Sequence, residues 1–286
     1  MLQIKAKILY NKRIKGNYFQ LVLGASQIAK EAQPGQFVNI RVNGGAFEPL
    51  LRRPFSIHKA SRGSIEILYE VLGEATQILS TRKAGEYSDV IGPLGHGFNY
   101  SLQLTAYSLR ILVAGGMGVA PLLFLAEKIQ RCQSVPACPA GRKVSKYQSM
   151  VLIGAKTKYQ LFCEKEFKDL GCAVKIATDD GSRGFKGKVT ELLKHILPTT
   201  NDQRPTTIYA CGPRPMLKQV ALISQKHKIP GQISLEEHLA CGIGACLGCV
   251  VNTTGGFQRV CKEGPVFSAD SIIWSNEDET YGAKRT

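Results

Sequence analysis

A chain of 286 residues with 44% apolar side chains has enough material for two medium domains with ordinary hydrophobic cores, which excludes a disordered chain. Its formal net charge of +15 is spread over "YNKRIK", "GRKVSK", "GAKTK" and "KQVALISQKHK" rather than set in an aromatic-interleaved stripe. With no recognition-helix or RNA-binding motif beside it, that charge points away from nucleic acid and toward a solvated basic face or an acidic cofactor or protein partner.

The opening "MLQIKAKILYNKRIKG" lacks an apolar stretch followed by a small-residue cleavage site, and "ILVAGGMGVAPLLFLA" is too short and too broken by Gly and Pro to span a membrane. A cytoplasmic protein is expected. Over residues 1–101 the strands "QIKAKILY", "YFQLVLGA", "GQFVNIRV", "RPFSIHKA" and "SIEILYEV" alternate with the turn signals "PGQ", "NGG" and "SRG", and a short helix follows near "TQILSTRK". This spacing predicts an antiparallel β-barrel or sandwich that ends at "GPLGHGF". Over 102–233 the pattern changes to buried strands alternating with helices: "SLRILVAGG", "VAPLLFLAEKIQR", "MVLIGA", "YQLFCEKEFKDLG", "AVKIATDD", "KGKVTELLKHIL", "TTIYACG" and "RPMLKQVALISQKHK". Such alternation predicts a Rossmann-like parallel α/β domain. The polar stretch 132–148 reads as a surface loop, and residues 234–286 as a small cysteine-rich module.

Nine cysteines without a secretion signal argue against a disulfide framework. Cys132, Cys138, Cys163, Cys172 and Cys211 are scattered, whereas Cys241, Cys246, Cys249 and Cys261 cluster with the spacing C-x4-C-x2-C followed by x11-C. The first three match the spacing of plant-type [2Fe–2S] ferredoxins; a four-cysteine zinc site is the alternative, but zinc ribbons use paired C-x2-C knuckles and only one is present here. Gly242, Gly244, Ala245 and Gly248 would let the backbone wrap closely around a cluster, and the glycines would take the unusual dihedrals that this requires.

Upstream, "RRPFSI" places an arginine and a serine on a strand, where they could meet a pyrophosphate and a flavin ring. "VAGGMGVAP" is a buried strand ending in glycines at the start of a helix, the arrangement that sets phosphate on a helix N-terminus, although G-x-G-x-x-G is absent. "YACGPRPML" repeats the strand–turn–helix logic, with Cys211 either packing in the core or lining a nicotinamide pocket.

The order R-P-F-S, then G-G-x-G-V-A-P, then C-G-P-x-P-M resembles the ferredoxin–NADP⁺ reductase superfamily. With "HLACGIGACLGCVV" and "VCKEGPVF" added, the chain looks like the electron-transfer subunits of class B, NAD-dependent dihydroorotate dehydrogenase over nearly its whole length. The resemblance implies three cofactors: FAD on the β-domain, NAD on the α/β-domain and a [2Fe–2S] cluster on the tail. It implies that Arg53, Pro54, Phe55, Ser56, Leu68, Tyr69, Glu70, Ala75 and Thr76 bind FAD, with Ala75-Thr76 standing where the family often has Gly-Thr. Gly115, Gly116 and Gly118 would cradle the nicotinamide nucleotide, with Cys211 and Gly212 near its ring, and Cys241, Cys246, Cys249 and Cys261 would ligate the cluster. No catalytic residue for dihydroorotate is visible. An FMN-containing dihydroorotate dehydrogenase catalytic subunit is the implied partner, in a heterotetramer with two of each chain, serving pyrimidine biosynthesis. Related NAD(P)H-dependent ferredoxin reductases and sulfide dehydrogenase subunits usually carry Asp at the first cluster position, where this chain has Cys241. Asp179 and Asp180 could accept from a ribose hydroxyl, whereas Lys156 and Lys158 could meet a 2′-phosphate, so the residues themselves leave NAD and NADP both open.

Overall fold

A computed structural model describes residues 1–43, 48–100, 108–132, 149–197 and 205–275. Cys138 and nearly all of the loop expected over 132–148 lie outside these residues. The chain resolves into two units. The first joins Met1–Gly97 to 237–251 and 256–266, and the second joins Phe98–Glu236 to 252–255 and the described residues from Phe267.

In the first unit the elements run β1 (Leu2–Lys15), β2 (Tyr18–Gly24), α1 (Ser26–Glu31), β3 (Phe37–Ile40), β4 (Arg53–Ser56), β5 (Lys59–Ser61), β6 (Ser64–Glu70), α2 (Glu74–Thr81) and β7 (Tyr87–Leu94). The strands form one antiparallel sheet in the order β4-β3-β7-β1-β2-β6-β5, and β4 also approaches β6, so the sheet curls on itself. Alternation drives this. In β6, Ile65, Ile67 and Tyr69 are buried while Ser64, Glu66, Leu68 and Glu70 are not. Their neighbours across the sheet, Leu21 and Leu23, are fully covered, as are Ile8 and Val38. The expected antiparallel β-domain is present. The sequence reading passed over α1, which is short, and β7, whose Gly92 and Pro93 resemble turn punctuation.

The second unit contains β8 (Leu109–Gly115), α3 (Val119–Cys132), β9 (Ser149–Ala155), α4 (Glu164–Asp169), β10 (Ala173–Thr178), β11 (Phe185–Lys186), α5 (Val189–Ile196), β12 (Thr206–Cys211), α6 (Arg214–Lys226) and β13 (Gly231–Ser234). The tail adds the hairpin β14 (Val250–Thr253) and β15 (Gly256–Arg259), then β16 (Val266–Ser268). The sheet order is β11-β10-β9-β8-β12-β13-β16, with the pairs from β11 through β13 all parallel. Every residue of β8 is buried, as its continuous apolar run requires of a strand covered on both faces. The Rossmann-like expectation therefore holds. The helix expected over "YQLFCEKEFKDLG" is only half realised. Cys163 takes a left-handed φ of 61°, which separates the short 3-10 turn Lys158–Gln160 from α4. Among the described residues no helix is long and apolar enough to cross a membrane.

Candidate functional site

The cysteine-rich loop is built by left-handed turns. Gly242 and Gly244 have φ of 68° and 86°, and these fold the chain back over the first cysteine. The third left-handed residue is Leu247 at 58°, not Gly248 as the sequence suggested. As the loop returns, the backbone N–H groups of Ala245 and Cys246 donate to Cys241 Sγ at 3.3 and 3.4 Å. Further on, Cys261 N–H donates to Cys249 Sγ at 3.5 Å. The side chains also meet two and two, the Cys246 thiol with Cys241 and the Cys261 thiol with Cys249. The second pair is buried, whereas Cys241 is half-buried and Cys246 exposed.

Electrostatics set Cys241 apart from Cys261. Burial works against ionisation of Cys241, but the N–H groups of Ile243, Cys246 and Ala245 and the Cys246 thiol outweigh it and bring Cys241 down to about 6. Burial pushes Cys261 up to about 12, helped by its hydrogen bond to Cys249 and the charge there. Among the described residues no group of three or more His, Cys, Asp or Glu converges as one metal ion would require. Two thiol pairs instead suit a two-iron cluster, which takes two thiolates at each iron, and sulfur-directed N–H groups are the donors such a cluster uses. The residues fit that group.

Three ties hold this loop. Arg259 donates through Nη1 to Gly244 O at 2.7 Å and clasps the Glu263 carboxylate through Nε and Nη2 at 3.0 and 2.5 Å. His96, at the end of β7, meets Lys262 O through Nδ1 at 2.7 Å and donates its N–H to Gly264 O at 2.6 Å. Asn39 on β3 donates through Nδ2 to Cys241 O at 3.1 Å. Sequence reasoning found none of these roles. Only the i,i+4 spacing of Arg259 and Glu263 beside Cys261 offered a local signal. Arg259→Met should leave folding nearly untouched yet release iron to a chelator about tenfold faster, because the Gly244 turn loses its clamp. Chelator-trapped iron followed over time checks this.

The strand that carries R-P-F-S is β4, paired in register with β3 (Val38 opposite Phe55, Ile40 opposite Arg53). Arg53 Nη1 donates to Leu51 O at 2.7 Å and Arg52 O at 3.3 Å, which fixes its guanidinium on the strand. Pro54 and Ser56 are half-buried, whereas Phe55 turns inward and meets Tyr69 edge-on, ring centres 5.8 Å apart. Tyr69 also stacks on Phe19 at 5.5 Å and donates to Asn11 Oδ1 at 3.0 Å, and burial pushes its hydroxyl up. Its side chain is therefore committed to the interior, and Leu68 and Glu70 take the opposite face of β6. Ala75 is buried in the first turn of α2, and Thr76 Oγ1 accepts from the N–H groups of Leu72 and Gly73 at 3.0 and 3.2 Å. A guanidinium tethered on a strand suits a flavin dinucleotide's pyrophosphate.

In the second unit the strand order reverses direction between β8 and β12, the topological switch point at which open α/β sheets bind ligands. The turns after these two strands interlock there without side chains. A Cβ on Gly118 would fall on the Cys211 carbonyl and 2.9 Å from Gly212 N, and one on Gly212 would lie 2.9 Å from Gly115 N and Cα. A Cβ on Gly115 would come within 2.6 Å of Met216 Sδ. Gly116 differs. It has φ of 54° and nothing within 4 Å of its Cβ position, so its backbone lies open at the start of α3. That open backbone at a helix start suits a nucleotide phosphate. Cys211 is buried at 2% exposure, and burial followed by the charge of Glu236 pushes its thiol up. Just past β10, the Ser182 side chain and then its N–H, the latter at 2.9 Å, hydrogen-bond Asp180 and hold its carboxyl below the usual range, while Lys158 N–H donates to Ser182 Oγ at 2.8 Å.

Two families match the chain: the iron-sulfur cluster binding domain of dihydroorotate dehydrogenase B over residues 236–273, and the oxidoreductase NAD-binding domain over 112–221. The dihydroorotate dehydrogenase B (NAD(+)) electron transfer subunit of Desulforamulus reducens is 39% identical over 276 residues, 94% of this chain and 97% of the relative. The subunit of the same name from Fusobacterium nucleatum is 39% identical, covering 93% of both chains. Among solved structures, an NADH-dependent reduced ferredoxin-NADP oxidoreductase aligns with TM-score 0.77 at 27% identity, covering 98% of this chain and 97% of that one. A ferredoxin NADP+ reductase from Neisseria gonorrhoeae with bound FAD and NADP aligns at TM-score 0.62 and 17% identity, over 79% of this chain and 91% of that one, a likeness of fold.

Proposed function

The chain belongs to the electron-transfer subunits of NAD-dependent dihydroorotate dehydrogenase B, within the ferredoxin–NADP reductase superfamily, and from that membership we propose how its residues divide the work. It is an FAD- and iron–sulfur-containing, NAD-linked oxidoreductase subunit of pyrimidine biosynthesis. The observation that carries the division is the pairing of four thiols, two and two, beneath N–H groups aimed at sulfur. Cys241, Cys246, Cys249 and Cys261 hold a [2Fe–2S] cluster. Arg53, Pro54 and Ser56 line the flavin, with Phe55 and Tyr69 supporting the strands behind it and Thr76 shaping the start of α2. Gly116 leaves its backbone open to NAD at the switch point, where Gly115, Gly118 and Gly212 lock the two turns together.

When bound, these groups supply one-electron transfer at iron, one- and two-electron chemistry at the flavin ring, and hydride acceptance at the nicotinamide. What this chain's residues contribute is position and charge. Arg53 offers a fixed cation to the pyrophosphate, the loop N–H groups stabilise thiolate at Cys241, and Gly116 admits a phosphate to backbone N–H groups. The partner is a dihydroorotate-oxidising, FMN-containing catalytic subunit, in a cytoplasmic heterotetramer with two of each chain. Functional segments of 1–101 for FAD, 102–233 for NAD and 234–286 for the cluster accompany this reading.

The test is the anaerobic visible spectrum of the purified chain with iron and sulfide analysis, followed by co-purification with the catalytic subunit. Flavin bands, a dithionite-bleachable shoulder and about two irons and two sulfides per chain are expected. Colourless protein holding zinc would overturn the cluster assignment. A complex whose mass differs from that of two chains of each kind would overturn the assembly.

A further inference from the structure

Asn39 is the one polar side chain of β3, 1% exposed, standing opposite Pro54 of R-P-F-S on one side and opposite Ile91 of β7 on the other. Its Nδ2 donates to the carbonyl of Cys241 at 3.1 Å, across 202 residues of sequence. The next residue, Gly242, lies so close that a Cβ there would strike the same carboxamide, and Gly242 carries the left-handed φ of 68° that starts the loop. The Cys241–Gly242 peptide is therefore seated on Asn39. From that seat the loop turns to bring the N–H groups of Ala245 and Cys246 onto Cys241 Sγ.

The other half of the carboxamide sharpens the point. Asn39 Oδ1 is buried and has no hydrogen-bond partner among the described residues. A buried acceptor without a donor is destabilising, and an apolar residue of similar shape would not carry that cost. Among the described residues the carboxamide is therefore held through Nδ2 alone, on the Cys241 carbonyl.

We propose that Asn39 is a positioning residue for the cluster: by seating the Cys241–Gly242 peptide on the strand paired with R-P-F-S, it sets the N–H to sulfur hydrogen bonds at Cys241 and so tunes the reduction potential. The inference rests on the cluster assignment above. Hydrogen bonds to cluster-ligating sulfur stabilise the reduced, more negative state, so their loosening lowers the potential.

The experiment uses the full chain, purified anaerobically with its flavin and cluster, as wild type, Asn39→Leu and Asn39→Ala. Midpoint potential by dye titration and the EPR spectrum of the dithionite-reduced cluster are read beside iron and FAD content. Asn39→Leu is expected to keep its FAD while the midpoint falls and the g values move. Asn39→Ala, which cannot overpack against Gly242, is expected to shift both in the same sense, or to lose iron alone. Wild-type midpoint and g values in either loaded variant would overturn the proposal, as would joint loss of FAD and iron in both, which would mark Asn39 as a support of the whole sheet. Absence of iron and sulfide from wild type would overturn the cluster assignment instead, so the two failures are told apart.

Discussion

Cys249→Ser is expected to remove the iron–sulfur centre while leaving the flavin in place. Cys249 and Cys261 are each 2% exposed, and Cys261 N–H already points at Cys249 Sγ. A serine there presents a hydroxyl that ionises far less readily than a thiol and binds iron poorly, and water has little access to fill in as a ligand. Cys246→Ser changes the exposed pair, where a substitute ligand can reach the metal, so a partial and labile cluster is expected rather than none. Iron and sulfide should fall to near zero in Cys249→Ser and to an intermediate value in Cys246→Ser. Electron transfer from dihydroorotate to NAD⁺ in the assembled complex should fall by roughly 100-fold or more in Cys249→Ser, because the path through the cluster is cut. Reduction of a soluble dye by NADH needs only the nicotinamide and flavin sites, and it should stay within about threefold of wild type. Retention of the coupled activity by an iron-free Cys249→Ser complex would remove the cluster from the path.

The parts of this molecule that were readable from sequence are those whose physics is local. Alternation in "SIEILYE" and the unbroken run in "LRILVAG" specify a half-buried and a fully buried strand, and both are found. The cysteine spacing announced a cluster, yet it could not say that the thiols pair as Cys241 with Cys246 and Cys249 with Cys261, since that depends on where the loop turns. Leu247 shows the same limit. Glycine is the usual left-handed residue, but here the turn between Cys246 and Cys249 puts a φ of 58° on an exposed leucine beside one. The motif reading took Leu68, Tyr69 and Glu70 as one block, whereas the period of two divides their side chains between the faces of β6. Adjacent strand residues face opposite ways, and Tyr69 packs inward on Phe19 and Phe55. Asn39 and His96 were invisible because their partners, Cys241 and Lys262, are 202 and 166 residues away.

The glycines at the switch point should separate cleanly when each is given a methyl group. Gly118→Ala is expected to be the most damaging. Its Cβ would fall on the backbone carbonyl of Cys211, and neither turn can yield without pulling β8 from β12, strands paired from Leu109 with Thr206 to Ala114 with Cys211. Backbone-on-methyl overlap of this kind should cost about 2–4 kcal/mol, a fall of roughly 4–16 °C in melting temperature for a domain of this size. Nucleotide binding should weaken with it. Gly115→Ala meets the thioether of Met216 and Pro213 Cδ at 2.6 and 2.7 Å, and the flexible Met216 can swing aside, so a smaller loss is expected. Gly116→Ala isolates the functional term. Nothing lies within 4 Å of its Cβ position, so the cost to folding is only the left-handed φ of 54°, about 1 kcal/mol. The methyl would stand over the open backbone at the start of α3, where a phosphate must approach, so NADH affinity should fall by about tenfold or more while the melt barely moves. Thermal melts and NADH titrations on the three variants read the two effects separately. If Gly116→Ala binds NADH as wild type does, the phosphate does not sit on this turn. If Gly118→Ala melts as wild type does, the two turns are not locked against each other as described.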